Sequence, residues 1–183
     1  FFRAPAVTDA VRDLLKNRDG LMLGICNGFQ ALVKLGLVPY GDIVPMTAEC
    51  PTLTFNTIGR HQSRLVRTRV ASNLSPWLSR TAVGDVHTVA ISHGEGRFVA
   101  AEPVLDLLKA NGQIATQYVD EAGVPGMDLT VNPNGSLLAI EGITSPDGRV
   151  FGKMGHSGNG LYVNVPGDKY QPIFEAGVEY FAA

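Results

Sequence analysis

Cys26 stands in the run Leu21-Met22-Leu23-Gly24-Ile25-Cys26-Asn27-Gly28-Phe29-Gln30, where an apolar strand is interrupted by Gly-x-Cys-x-Gly and followed at once by a helical pattern. A serine in the equivalent Gly-x-Ser-x-Gly turn sits on a strained strand-to-helix corner that exposes its side chain at the top of a sheet. The spacing therefore predicts a nucleophile elbow carrying a thiol. Gly24 and Gly28 remove the two Cβ atoms that would crowd the corner and the helix packing on its own strand. The partial positive charge at the helix N-terminus favours thiolate, which predicts a depressed thiol pKa. A thiolate placed there attacks a carbonyl carbon, the Asn27 N–H is the natural first donor to the oxyanion, and a histidine must carry the proton to the leaving group. Free cysteines are commonly just small buried hydrophobes. Here the flanking glycines, the strand end and a late strand-end histidine favour a catalytic thiol.

Four histidines compete for the proton-transfer role. His61 precedes a charged strand and His87 lies inside an alternating apolar segment, whereas His93 and His156 fall at strand ends. His156 is preferred because its strand runs straight into a glycine-rich loop, which leaves the ring accessible. Cys50, in a loop-like stretch before Pro51, carries no motif and reads as structural.

The elements around these residues follow from periodicity and turn chemistry. Val7, Val11, Leu14 and Leu15 fall at helical spacing, with Thr8 as N-cap and Gly20 beyond the end. A strand over 21–25, the elbow, and a helix over about 27–35 stopped by Gly36 come next, an α/β signature. Residues 38–50 read as loop, 52–58 and 63–71 as strands, and Val86–Ile91 as another strand. Ser92-His93-Gly94-Glu95-Gly96-Arg97 reads as a polar turn before Phe98-Val99-Ala100. Its glycines match neither a dinucleotide fingerprint nor a P-loop. Pro103 to Ala110 is a helix with Val104, Leu107 and Leu108 on one face, and Gln113 to Val119 a strand. Asp147-Gly148 between two apolar runs marks a hairpin, whose second strand ends at Gly155-His156. Ile173, Phe174, Val178 and Phe181 predict a C-terminal helix packed on the sheet. Arg64, Arg67 and Arg69, after Arg60 and His61, form either a solvated strand face or an anion or partner site.

Composition bounds the function classes. The 183 residues are 45% hydrophobic and 17% charged, which suits one compact domain. A formal charge of −2 gives no electrostatic case for nucleic acid or an anionic membrane. No uncharged apolar run reaches the length of a membrane span, and the N-terminus lacks signal-peptide order. Two cysteines suit a reducing compartment, so the expected location is cytoplasmic.

The run Leu23–Gln30 resembles the glutaminase elbow of class I glutamine amidotransferases. More narrowly, Ser92–Arg97, Asn132-Pro133-Asn134-Gly135-Ser136 and Ser145-Pro146-Asp147-Gly148-Arg149-Val150 resemble the glutaminase domains of phosphoribosylformylglycinamidine synthases, from about residue 3 to the end. The resemblance implies an α/β, flavodoxin-like doubly wound sheet and a Cys-His-Glu triad. Cys26 would form a glutamyl thioester and His156 would act as acid and then base. Asn27, Gly28 and Gln30 would meet the substrate, and the Ser92-His93 turn would hold its amino-acid end. The resemblance implies no cofactor and no metal in this domain. Ammonia would pass to a synthetase domain or subunit that uses ATP and magnesium to convert formylglycinamide ribonucleotide to the amidine.

Two departures stand out. The family's third triad member is a glutamate two residues after the histidine, and here His156-Ser157 is followed by Gly158. The family also has an upstream strand and a glycine-rich loop with a second oxyanion donor, and this sequence begins after that point. Residues 1–183 are therefore expected to be a single glutaminase domain, a fragment of a longer chain, with residues missing before Phe1 and between Ser157 and Gly158. Three function classes remain: a glutaminase, a catalytically inactive docking or ammonia-channel partner, and an unrelated cysteine hydrolase. A papain-like context around the cysteine is absent.

Overall fold

The computed structural model describes residues 2–157 and 171–182. Helix α1, Pro5–Lys16, carries Pro5 in its first turn, where a missing N–H costs nothing. The N-cap is Ala4, not the expected Thr8, whose hydroxyl instead donates to the Phe2 carbonyl at 3.0 Å. Strand β1 spans Met22–Ile25 and helix α2 spans Asn27–Leu35. In α2, Phe29, Leu32 and Val33 recur at helical spacing and are buried, and Gly36 closes the helix in the left-handed conformation at φ 89°. A short helix α3, Leu37–Tyr40, occupies the start of the expected loop.

Strands β2, Thr52–Phe55, and β3, Gln62–Val70, come next. Strands β4, Val86–His93, and β5, Glu95–Val99, then follow with only Gly94 between them, so most of the expected polar turn is strand. Helix α4, Glu102–Ala110, strand β6, Ile114–Val119, strand β7, Ile140–Thr144, strand β8, Val150–Lys153, and helix α5, Ile173–Glu179, complete the order.

Six strands form one mixed sheet in the order β1-β8-β7-β6-β3-β4, while β2 and β5 pair separately. Only β1 and β8 run parallel; the other neighbours are antiparallel. The expected doubly wound sheet is therefore seen only as α/β layering. Parallel strands need long crossovers, and the tight Ser145–Arg149 turn forces β7 and β8 antiparallel. The sheet curls so that the chain just beyond β8 reaches the far edge strand, β4. The backbone N–H of His156, just beyond β8, donates to the Ala90 carbonyl of β4 at 2.8 Å in an isolated bridge.

Side-chain alternation fills both faces. On β8, Val150 joins the core beneath α1 and α2, while Phe151 joins the opposite cluster with Leu78 and Ile173. Phe29 and Phe98 are fully buried in the first of these cores, each contributing about 1.5–3 kcal/mol by burial. Helix α5 buries Ile173, Ala176 and Gly177 against its surroundings. Phe174, Val178 and Phe181, expected to pack, are exposed. On α4 Leu108 is buried and Leu107 is not. Among the described residues no helix is long and apolar enough to cross a membrane.

Candidate active site

Strand β1 pairs with β8 so that Ile25 lies opposite Lys153, and the next residue, Cys26, donates its N–H to the Lys153 carbonyl at 2.9 Å. This fixes the end of β1 against the strand that leads to His156. Cys26 then turns into the left-handed region, φ 54° and ψ −109°, before α2 begins at Asn27. A non-glycine residue in that region stores strain of order 1–3 kcal/mol. The corner is the expected elbow, with the side chain half-buried.

The two elbow glycines serve different ends. A Cβ on Gly24 would come 2.7 Å from the backbone of Gly28 and 2.5 Å from Leu32, so strand and helix touch there. Among the described residues, a Cβ on Gly28 would meet nothing within 4 Å. The expectation that Gly28 relieves packing is thus corrected: the close approach of strand and helix is at Gly24.

Burial pushes the Cys26 thiol up from its ordinary value, with a hydrogen bond from the Asn27 N–H acting against it. The expected depression by the helix end is overturned, because desolvation of the half-buried sulfur outweighs the one backbone donor. Cys50 moves the other way. The Thr47 N–H, 3.4 Å from the sulfur, and the Thr47 hydroxyl lower its thiol.

Cys26, Asn27, Gln30, Ser92 and His93 line one cleft of about 500 Å³, together with Phe55, His61, Gly94 and Glu95. Gln30 donates its side-chain amide to the Glu95 carbonyl at 2.5 Å, joining α2 to β5 across the cleft. His61 Nε2 and Ser92 Oγ lie 3.0 Å apart. Phe55 was not singled out from sequence and His61 was passed over, since only the pairing of distant strands brings them to the elbow.

His93 is 5% exposed, and among the described residues neither ring nitrogen has a hydrogen-bond partner. Burial, with the charge of nearby His61, pushes its pKa down to about 4, so the ring is neutral at pH 7. Its place requires Gly96, where a Cβ would come 2.3 Å from the ring. The motif at 132–136 explains itself here as a buttress. Asn134 donates to the Gly96 carbonyl at 3.0 Å and to Tyr118 Oη at 2.8 Å, and Ser136 Oγ accepts the Phe98 N–H at 3.0 Å. Asn56 holds the same turn through the His93 carbonyl and the Gly96 N–H.

His156 is not among the residues lining the cleft, but its backbone bridge ties it to the strand that carries Ser92 and His93. Burial and the Lys153 charge lower its pKa, while Glu141 opposes them. Position 158, where the triad glutamate was sought, and the expected gap after Ser157 lie outside the described residues. The arginines of β3 are engaged by their own chain: Arg64 donates to the Thr130 carbonyl, Arg67 to the Glu121 carbonyl and Arg69 to Gln117 Oε1. Among the described residues no three His, Cys, Asp or Glu are placed to hold a metal ion.

Residues 1–181 match the family model described as a CobB/CobQ-like glutamine amidotransferase domain. The chain belongs to that family. It is 38% identical to the phosphoribosylformylglycinamidine synthase subunit PurQ of Aquifex aeolicus over 135 residues, covering 74% of this chain and 54% of that protein. It is 34% identical to PurQ of Salinibacter ruber over 173 residues, covering 94% and 67%, and 37% identical to PurQ of Methanococcus maripaludis over 161 residues, covering 85% and 56%. The chain thus spans about half to two-thirds of the length of these curated relatives. Among solved structures, PurLQS from Thermotoga maritima superposes with a TM-score of 0.65 at 24% identity, covering 98% of this chain and 74% of that one, which establishes likeness of fold.

Proposed function

We propose that this glutamine amidotransferase domain hydrolyses glutamine through a Cys26 thioester and supplies the ammonia to an ATP-dependent synthetase that makes formylglycinamidine ribonucleotide. The observation that carries the reading is the strained Cys26 corner, opening on a cleft walled by Gln30, Ser92 and His93 and locked by its own N–H to the strand that delivers His156. The PurQ names of the relatives support the choice of synthetase.

The chemistry follows from these positions. His156 takes the Cys26 proton as the sulfur attacks the side-chain carboxamide carbon, and the Asn27 N–H receives the oxyanion. Collapse breaks the C–N bond, with His156 returning the proton to nitrogen so that ammonia leaves. Water then attacks the thioester with His156 as base, releasing glutamate and restoring the thiol. Gln30, Ser92 and the space in front of Gly28 receive the amino-acid part of the substrate, and neutral His93 offers an unspent ring nitrogen. None of these steps draws on a cofactor of this domain; ATP and magnesium belong to the synthetase, and the work is cytoplasmic. The reading also carries the doubly wound, flavodoxin-like arrangement of class I amidotransferases.

A second reading rests on Gly158 standing where the triad glutamate is expected: an inactive docking or ammonia-channel partner of the same synthetase. The test is the full-length enzyme assembled with its synthetase. Cys26→Ser should abolish glutamine-dependent turnover and spare turnover with added ammonia. Unchanged glutamine-dependent turnover would refute the thioester route, and a parent complex active only with ammonia would select the docking partner.

A further inference from the structure

Behind the strand end that carries His156 lies a charged pair that the chemistry above does not use. Glu141 on β7 and Lys153 on β8 are both fully buried, with Lys153 Nζ 3.9 Å from Glu141 Oε1. Neither charge is stranded. Glu141 Oε1 accepts the Gly155 N–H at 2.5 Å and Oε2 accepts the Thr116 hydroxyl. The Lys153 ammonium donates to Gln171 Oε1 at 2.8 Å and to Ser157 Oγ, and the Ser157 hydroxyl donates to the same Gln171 oxygen. The fit is close: a Cβ on Gly155 would stand 2.9 Å from Glu141 Oε1.

Buried ion pairs add little net stability, and apolar residues of similar volume commonly serve as well or better. This pair has a specific geometric consequence instead. Glu141 holds Gly155 and Lys153 holds Ser157, the two neighbours of His156, while the His156 N–H is fixed on Ala90. The Gly155 and His156 N–H groups and the Ser157 side chain are thereby held from β7, β4 and β8.

We propose that Glu141 and Lys153 are the positioning pair of His156, clamping its two neighbours from inside the sheet and presenting a carboxylate behind the strand end. The proposal rests on the reading of His156 as the acid and base. The pair also sets the charge around the ring. The charges that act on it include Lys153 of β8, which disfavours imidazolium, Glu141 of β7, which favours it, and His93 of β4.

Removing one partner leaves an unpaired buried charge, so the main test is the double variant Glu141→Gln with Lys153→Met in the full-length enzyme with its synthetase. The variant should melt close to the parent and keep its KM for glutamine, with glutamine-dependent kcat lower by at least about tenfold. Parent-like kcat, or a kcat loss that merely follows lost stability and raised KM, would overturn the proposal. The second readout is the NMR titration of the His156 ring. Glu141→Gln should lower its pKa and Lys153→Met should raise it. An unmoved titration in both would overturn the proposal even if turnover fell. If the parent complex shows no glutaminase activity, the functional reading fails on its own, and the titration still decides the role of the pair.

Discussion

The N–H of Cys26 donates to the carbonyl of Lys153 at 2.9 Å, so the elbow is fastened to β8, which runs parallel to its own strand and leads to His156. Parallel neighbours place their carboxyl ends together, which is where α/β sheets assemble sites. Lys153 thereby acts twice, its backbone holding the nucleophile turn and its side chain holding Ser157 beside the histidine.

The two thiols should separate by reagent. Burial raises the Cys26 thiol, while the Thr47 N–H and hydroxyl lower that of Cys50. A small neutral alkylating agent at pH 8 should therefore modify Cys50 faster. An electrophilic glutamine analogue, held in the cleft, should modify Cys26 instead. Peptide mapping after each treatment checks both, and an analogue that preferred Cys50 would end the assignment of the nucleophile.

The pH profile should reveal a neutral pair at rest. Both shifts point the same way: Cys26 is raised and His156 is lowered from its ordinary 6.5. The ground state is then thiol and imidazole, with His156 acting as a general base. Since the base must be deprotonated, kcat/KM for glutamine should fall on acidification only as pH passes through the His156 pKa, below 6.5. An acid limb centred at or above 7 would contradict this.

Much of this arrangement was legible in the residues themselves. The elbow, the Gly36 stop, the Asp147-Gly148 hairpin and the delivery of His156 to a strand end all follow from local spacing and turn chemistry. The curl that brings Ala90 to His156 was not, because it depends on pairing between strands far apart in sequence. The direction of the Cys26 shift was missed for a similar reason, since desolvation depends on what closes over the sulfur. Nothing in the spacing singled out Glu141 and Lys153, and only their mutual burial marks them. The run Ser92–Arg97 looked like a turn by composition, yet Asn56 and the 132–136 buttress hold nearly all of it in strands.

The histidines should divide binding from chemistry. His156→Ala should reduce glutaminase kcat by roughly a hundred- to ten-thousand-fold. His93→Ala should mainly raise KM, since its neutral ring lines the cleft with no partner among the described residues. Gly96→Ala should mimic the second effect, because a methyl there would stand 2.3 Å from the His93 ring and must displace it. Steady-state kinetics on the three variants tests the division. Collapsed kcat with unchanged KM in His93→Ala would exchange the roles.

The elbow glycines should fail in opposite ways. At Gly24 a methyl would press on the backbone of Gly28 at 2.7 Å, and backbone at the start of α2 cannot swing aside as a side-chain end would. Gly24→Ala should cost about 1–3 kcal/mol of stability, read as a lower denaturant midpoint with unchanged slope. At Gly28 a methyl meets nothing within 4 Å among the described residues, so Gly28→Ala should leave the midpoint within about 0.5 kcal/mol of the parent. On the proposed role of Gly28 in holding glutamine, a methyl there competes with the substrate. Gly28→Ala should therefore raise KM for glutamine while the protein stays as stable as before. If Gly28→Ala unfolds the domain and Gly24→Ala does not, strand and helix are not packed as described; if Gly28→Ala keeps its parent KM, glutamine does not lie across the elbow.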